Sequence, residues 1–292
     1  MAGLKEVRNR IKSIISTQQI TKAMKMVAAS KLRRAQDKIL QMRPFAVKLS
    51  EILSKAIQAL EGSYESEYAV QREIKKVLII PITSDRGLCG GFNSNIFRSV
   101  RGLIDEEYSS YQKDNRLLIM PLGKKAFDFY RRQKFNIIDS HWGIFTRLSF
   151  PKAQAAANYV LNGFKKAEFD KVIIVYNEFK NVATQVLRVE QFLPIENKEN
   201  RNGGKKNQDY IFEPDKSAIV KDLIPKSLTI QFFKNILESN ASEHGARMTA
   251  MDQATENASD LLNDLRITYN RTRQATITRE INEIVGGANA LE

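Results

Sequence analysis

The segment that decides the fold runs from Ile230 to Tyr269 and reads IQFFKNILESNASEHGARMTAMDQATENASDLLNDLRITY. Its apolar and small side chains recur at alternating steps of three and four residues, a spacing typical of the seam of a coiled coil. These positions are Ile230, Phe233, Leu237, Ala241, His244, Met248, Met251, Thr255, Ala258, Leu262, Leu265 and Tyr269. The segment therefore predicts one long helix that pairs with another helix.

A matching seam lies near the other end of the chain. It consists of Leu4, Val7, Ile11 and Ile14, and then of Ile39, Met42, Ala46, Leu49, Leu53, Ala56 and Leu60. Polar residues around Thr21 interrupt it, and Pro44 predicts a bend. Because the intervening chain joins the end of the first helix to the start of the second, we expect the two to run antiparallel.

The chain between the seams alternates apolar runs, typical of buried strands, with amphipathic helical stretches. The predicted strands cover residues 76–83, 116–122, 136–139, 171–176 and 186–193, and the predicted helices lie near 95–108, 124–133 and 151–164. This alternation predicts a small sheet with helices on its faces. The fold class is therefore α/β: a long antiparallel coiled coil of N- and C-terminal helices plus a small Rossmann-like, mainly parallel α/β domain.

We expect three parts along the chain. An N-terminal coiled-coil helix covers residues 1–62, the α/β domain covers 75–212, and a C-terminal coiled-coil helix covers 215–288. Residues 196–209, ENKENRNGGKKNQD, contain no apolar side chain and two adjacent glycines. They predict a solvated, flexible loop inside the second part.

The charge of the chain is concentrated at its N-terminus. The 292 residues carry a net charge of +13, and residues 1–60 hold thirteen lysines and arginines against three acids. A basic face of this kind is either simply solvated or binds nucleic acid, an anionic membrane surface or an acidic protein. Because the basic stretch has its own apolar seam and no aromatic side chain between Glu6 and Asp37, nucleic acid is the less favoured partner.

Other classes of protein are disfavoured by simple counts. A single cysteine, Cys89, excludes a disulfide framework, and no run of eighteen apolar residues predicts a membrane-spanning helix. The basic, amphipathic start continues into the first helix and lacks the apolar core of a secretory signal.

A glycine-rich turn, residues 87–91, follows the first predicted strand and makes phosphate binding a candidate. The spacing matches neither the dinucleotide fingerprint nor the P-loop, so a tight turn is favoured. Nothing in the sequence places a histidine beside Cys89, and no metal-ligand spacing is present. We therefore expect no catalytic residue, cofactor or metal.

Three longer motifs point to a family. They are TQQITKAMKMVAASK at 17–31, TSDRGLCGG at 83–91, and YNRTRQATIT at 269–278, which is followed by Glu280-Ile281 and Glu283-Ile284-Val285. In this order, and over essentially the whole chain, the sequence resembles the gamma subunit, or central stalk, of the bacterial type of F-type ATP synthase.

The resemblance implies a non-catalytic rotor that couples hydrogen ion transport to ATP synthesis or hydrolysis and regulates the ATPase. Its implied partners are three alpha and three beta subunits, an epsilon subunit and the membrane c-ring, with no nucleic acid and no transmembrane segment of its own. The implied location is peripheral, on the cytoplasmic face of the bacterial inner membrane. A basic coiled-coil protein that binds nucleic acid remains the alternative.

The resemblance also assigns residues to contacts. Those implied in coupling or in contact with beta are Met24, Arg247, Arg273, Gln274, Thr278 and Glu280. Those implied where the α/β domain, or foot, meets the ring and the epsilon subunit are Gly87, Leu88, Cys89, Gly90, Gly91 and Tyr210.

Overall fold

Two long helices open and close the part of the chain that the structure, a computed structural model, describes: residues 2–58, 67–182, 184–195 and 216–289. Helix α1 spans Ala2–Gln58 and helix α6 spans Lys216–Asn289. Each helix continues through an internal proline, Pro44 in α1 and Pro225 in α6. The two predicted coiled-coil helices are therefore present.

The contacts divide the chain into two compact units. The first, which we call the helical unit, comprises Met1–Ala29 and Arg247–Glu292, and the second comprises Ser30–Ala246. In the helical unit, Thr21 contacts Thr255 and Lys25 contacts Asp252, so residue numbers rise along one helix as they fall along the other. The helices run antiparallel there, as predicted.

The second unit contains a five-stranded sheet. Its strands are β1 (Val77–Pro81), β2 (Leu117–Ile119), β3 (Asn136–Ile137), β4 (Lys171–Phe179) and β5 (Gln185–Leu193). Their order is β3-β2-β1-β4-β5, with every pairing parallel except that of β4 with β5. The mainly parallel sheet predicted from strand–helix alternation is confirmed.

Helices cover both faces of this sheet. They are α2 (Phe92–Leu103), α3 (Ser109–Lys113), α4 (Lys124–Arg132) and α5 (Phe150–Lys165). One core lies between the sheet, α5 and the first turns of α6, and the other lies between the sheet, α2 and α4. All five residues of β1 are buried, because its continuous apolar run sits at the centre of the sheet with a core on each side.

One helix differs from its prediction. The helix expected near 95–108 begins at Phe92 as α2, and the turn between α2 and α3, Ile104–Tyr108, is π-helical. The wider turn buries both Ile104 and Tyr108, while the three acidic residues between them stay exposed. A local change of helical pitch of this kind leaves no clear mark in the apolar spacing.

Candidate partner-contact sites

The predicted coupling residues fall into two groups along the helical unit. Met24 lies one residue from Lys25, whose partner is Asp252, and Arg247 lies five residues from Asp252 on α6. Arg273, Gln274, Thr278 and Glu280 begin 21 residues beyond Asp252, which is roughly 30 Å along the helix. The structure therefore does not bring the six predicted residues together at one place.

Exposure also separates these residues. Arg273, Gln274, Thr278 and Glu280 are exposed, and Met24 is half-buried. Arg247 is buried, with 9% of its surface exposed, and the residue has interaction partners within the chain. The distal group is thus free to meet another protein, whereas Arg247 is held inside the fold.

A polar layer interrupts the apolar seam beside Met24. The hydroxyl oxygens of Thr21 and Thr255 lie 2.7 Å apart, and Thr21 is 8% exposed. Each hydroxyl also reaches a carbonyl of its own helix, Gln18 for Thr21 at 3.0 Å and Met251 for Thr255 at 2.7 Å. Both threonines therefore have hydrogen-bond partners within an otherwise apolar interface.

An open groove of about 540 Å³ borders this layer. Its lining residues are Gln18, Gln19, Lys22, Lys25, Met26, Asp252 and Thr255. Exposed Ile20, Met26 and Val27 lie on the same stretch of α1 as the two lysines. The surface around Met24 thus combines positive charge with apolar side chains, a combination suited to an acidic protein surface.

The turn motif at 83–91 caps a helix. Its residues accept hydrogen bonds from the first three backbone N–H groups of α4, which belong to Lys124, Lys125 and Ala126. The Asp85 carboxylate accepts from the first at 3.0 Å, the Ser84 carbonyl from the second at 3.1 Å, and the Thr83 hydroxyl from the third at 2.9 Å. The first N–H groups of α4 therefore have their hydrogen-bond acceptors within the chain.

The place where an open parallel sheet commonly binds a ligand is also filled. That place lies outside the carboxyl ends of β1 and β4, where the strand order reverses. Helix α6 packs there: the Ser239 hydroxyl donates to the carbonyl of Ile82 at 3.4 Å, and Glu238 accepts from the N–H of Phe179 at 3.3 Å. The chain's own residues therefore fill the place beside the carboxyl ends of β1 and β4.

Burial of Glu238 perturbs its ionisation. Only 4% of the residue is exposed, and loss of hydration raises the pKa of its carboxyl above the usual value. The Phe179 N–H, Lys234 and Arg43 oppose that rise. The carboxylate serves the packing of α6 against the sheet, which is a sufficient structural reason for its position.

Within the turn, the foot residues have different environments. Cys89 is 2% exposed and lies 3.3 Å from the Asn93 side-chain amide, which also donates to the Ser84 hydroxyl at 2.8 Å. Leu88, in contrast, is 63% exposed and has a φ of 62°, an uncommon conformation for a branched side chain. Leu88 is thus an exposed apolar side chain of residues 87–91. Tyr210 and the loop at 196–209 lie outside the described residues.

Two negative observations apply to the described residues alone. No group of three or more His, Cys, Asp or Glu side chains within them is arranged to hold a metal ion. None of their helices combines the length and apolarity needed to cross a bilayer.

Comparisons with known proteins agree over the full chain. The model of a family described as ATP synthase matches residues 3–291. The ATP synthase gamma chain of Cytophaga hutchinsonii is 53% identical over 100% of this chain and 99% of its own, and that of Christiangramia forsetii is 51% identical with the same coverage.

Solved structures give the same architecture. The central stalk and c-ring structure of the Tetrahymena thermophila mitochondrial ATP synthase contains a chain with 26% identity and a TM-score of 0.58, over 80% of this chain and 99% of that one. A chain of the Euglena gracilis mitochondrial ATP synthase, at 22% identity, aligns with a TM-score of 0.65 over 99% of this chain and 95% of that one. At 22% identity, the match to the Euglena gracilis chain shows a similar fold and nothing more.

Proposed function

The chain belongs to the family of ATP synthase gamma chains and has the central-stalk function of that complex, and from this premise we propose that it is the rotor that couples ion flow to ATP chemistry. Rotation of an asymmetric shaft inside a ring of catalytic subunits would change their nucleotide affinities in turn. The chain itself contributes no catalytic residue in this proposal. The carrying observation is the match to the family over residues 3–291.

The proposed partners follow from the two contact regions. The distal residues Arg273, Gln274, Thr278 and Glu280 and the region around Met24 contact the beta subunits of a hexamer of three alpha and three beta subunits. The foot contacts the epsilon subunit and the c-ring through residues 87–91, where Leu88 is an exposed apolar side chain, and through Tyr210. The exposure of the four distal side chains and of Leu88, and the basic groove beside Met24, support this assignment.

The proposed location follows from the same partners. The complex lies at the cytoplasmic face of a bacterial inner membrane, with this chain as a peripheral component that takes part in hydrogen ion transport without crossing the bilayer. The curated relatives of highest identity reported above are bacterial. The interpretation as a nucleic-acid-binding coiled coil has no support from the comparisons.

Reconstitution tests the proposal directly. The purified chain is mixed with purified alpha and beta subunits, and Mg-ATPase activity is followed together with the size of the complex. We expect a single assembly with raised ATPase activity. Binding to duplex DNA is measured in the same salt as a control, because a chain of charge +13 binds polyanions without specificity at low ionic strength. Failure to assemble, together with tight DNA binding, would overturn the proposal.

A further inference from the structure

Part of the seam that the seven-residue repeat predicts between α1 and α6 is left open in the second unit. Ile39 and Ile230 are buried, at 4% and 8% exposed. Met42, Leu49 and Phe233 belong to the same predicted seam, but they are only half-buried. Side chains on a paired seam normally fill holes that the partner helix provides. The pairing of α1 with α6 therefore does not fully cover these three side chains.

The same three side chains line an open groove of about 730 Å³, which we call the Phe45 groove. Within the described part of the chain, its lining comes from α1, α5 and α6, all inside the second unit. Phe45 of α1 and Phe150 of α5 are 60% and 40% exposed, and the Phe150 ring packs edge-on against that of Phe233, with 5.4 Å between centroids. Exposed apolar side chains gathered in one place mark an interaction surface.

The shape of the Phe45 groove suits a short helix. Its lining extends along α6 from Leu223 to Phe233, a separation of ten residues or roughly 15 Å, which is close to three helical turns. An amphipathic helix of that length carries apolar side chains three and four residues apart on one face, and such a face packs into an apolar groove.

Two polar side chains favour a protein segment over a lipid as the occupant. Gln154 and Asn158 are exposed, lie one turn apart on α5 and line the Phe45 groove. Their amides can donate and accept hydrogen bonds. A protein segment has polar groups that can use these amides, whereas the acyl chain of a lipid has none.

Charge restricts the occupant further. The segments that line the groove cover residues 42–49, 150–158 and 223–233. They contain no acidic residue and four exposed cations: Arg43, Lys48, Lys152 and Lys226. Lys48 pairs with Glu51 and Lys226 with Asp222, but all four of these side chains are more than half exposed, and such pairs contribute little. Surroundings of this charge attract an acidic partner and repel a basic one.

We propose that the Phe45 groove is the docking site for an amphipathic helix of another subunit of the complex, a helix with one apolar face and acidic side chains beside it. This inference rests on the proposed rotor function, which supplies the neighbouring subunits. Phe45, Phe150 and Phe233 are the apolar anchors of the site, and Lys226 is its charged contact. The site shares no described residue with the groove beside Met24 or with residues 87–91.

Photocrosslinking in the purified, complete complex tests the site. Phe45 is replaced by the photoreactive p-benzoylphenylalanine, the complex is irradiated, and the crosslinked peptide is identified by mass spectrometry. We expect a crosslink to one segment of another subunit that has apolar residues three and four apart and acidic residues beside them. Val47 carries the same probe as the control, because it is also 60% exposed on α1 but does not line the groove. We expect about tenfold less crosslinking from Val47, since close packing is confined to the core of an interface.

Two substitutions, made in complexes that carry the Phe45 probe, test the chemistry of the contact. Phe150→Ser removes an aromatic anchor and Lys226→Glu reverses a charge, and each should lower the crosslink yield about tenfold, as for the loss of one interface anchor. Lys113→Glu is the control, because it makes the same change of charge at an exposed position of α3 that does not line the groove. Circular dichroism of each purified chain checks that the fold is kept.

The outcomes separate this inference from its alternatives. A crosslink from Phe45 to lipid, to a basic or non-helical segment, or only within this chain would overturn it. Equal yields from the probes at Phe45 and Val47, or from Lys226→Glu and Lys113→Glu, would also overturn it. A wild-type chain that failed to enter the complex would instead overturn the proposed function.

Discussion

At the scale of single residues, the turn at 83–91 depends on a glycine that lies outside it. Gly123 precedes α4 with a φ of +108°, and a Cβ added there would lie 2.2 Å from the carbonyl oxygen of Thr83. This close approach lets Thr83, Ser84 and Asp85 reach the N–H groups of α4. The motif at 83–91 thus has a structural role, which is to cap α4. A contact that Leu88 makes with a partner depends on this cap, because the cap fixes the position of the turn.

We predict that Gly123→Ala destabilises the chain by roughly 2–5 kcal/mol, because it adds both backbone strain and a clash with a buried main chain. Urea unfolding followed by circular dichroism measures the effect. Gly102→Ala in α2 is the matched control, since nothing lies within 4 Å of its added Cβ and alanine favours helix by about 1 kcal/mol. Equal stability of the two variants would contradict the assignment of strain to Gly123.

At the scale of elements, the pairing of α1 with α6 in the helical unit combines tight apolar packing with one polar layer. Ala28 and Met251 are buried near the polar layer on one side, and Ala258 and Leu262 on the other. The ion pair between Lys25 and Asp252 is largely exposed, at 37% and 59%, so it contributes little to stability. The hydroxyl pair of Thr21 and Thr255 is the more buried part of the layer.

We predict a favourable interaction of about 1 kcal/mol between Thr21 and Thr255, because the Thr255 hydroxyl can donate to the Thr21 hydroxyl. Each hydroxyl has a carbonyl of its own helix as an acceptor when the other is removed, so neither single variant leaves a buried donor without a partner. Thr21→Val, Thr255→Val and the double variant form a thermodynamic cycle measured by urea unfolding. Thr17→Val serves as the control, because Thr17 is exposed and its hydroxyl donates to the Ser13 carbonyl on the same helix. Strictly additive effects of the two valines would show that the contact contributes nothing.

At the scale of the whole molecule, the effect of the distal residues should appear only when partners are present. Arg273 and Gln274 are exposed, so their replacement leaves the packing of the isolated chain unchanged. Any loss of function would then come from contacts with another subunit. Variants of Arg273 and Gln274 therefore test partner contact, whereas variants of Gly123 and Thr21 test the stability of the folded chain.

We predict that Arg273→Ala combined with Gln274→Ala lowers ATPase activity and coupling of the assembled complex about tenfold, which corresponds to about 1.4 kcal/mol of lost contact energy at a partner interface. Circular dichroism of the isolated chain should be unchanged. The control pair, Arg266→Ala with Asn263→Ala, removes the same two chemical groups from exposed positions earlier on α6. Wild-type coupling in the Arg273 and Gln274 variant would remove the case for this contact.

The sequence by itself determined the helices, the buried strand β1 and the family, because local spacing records which face of an element is buried and a motif records identity. It placed Leu237, Met251 and Leu262 on the seam, and each is buried. Only the tertiary structure decided that Thr21 meets Thr255, that Asp170 holds Lys75 and Lys76, and that Thr83 caps α4. These partners are 43 to 234 residues apart. Periodicity states that a side chain must find a partner, but which partner it finds depends on how the distant parts of the chain pack together.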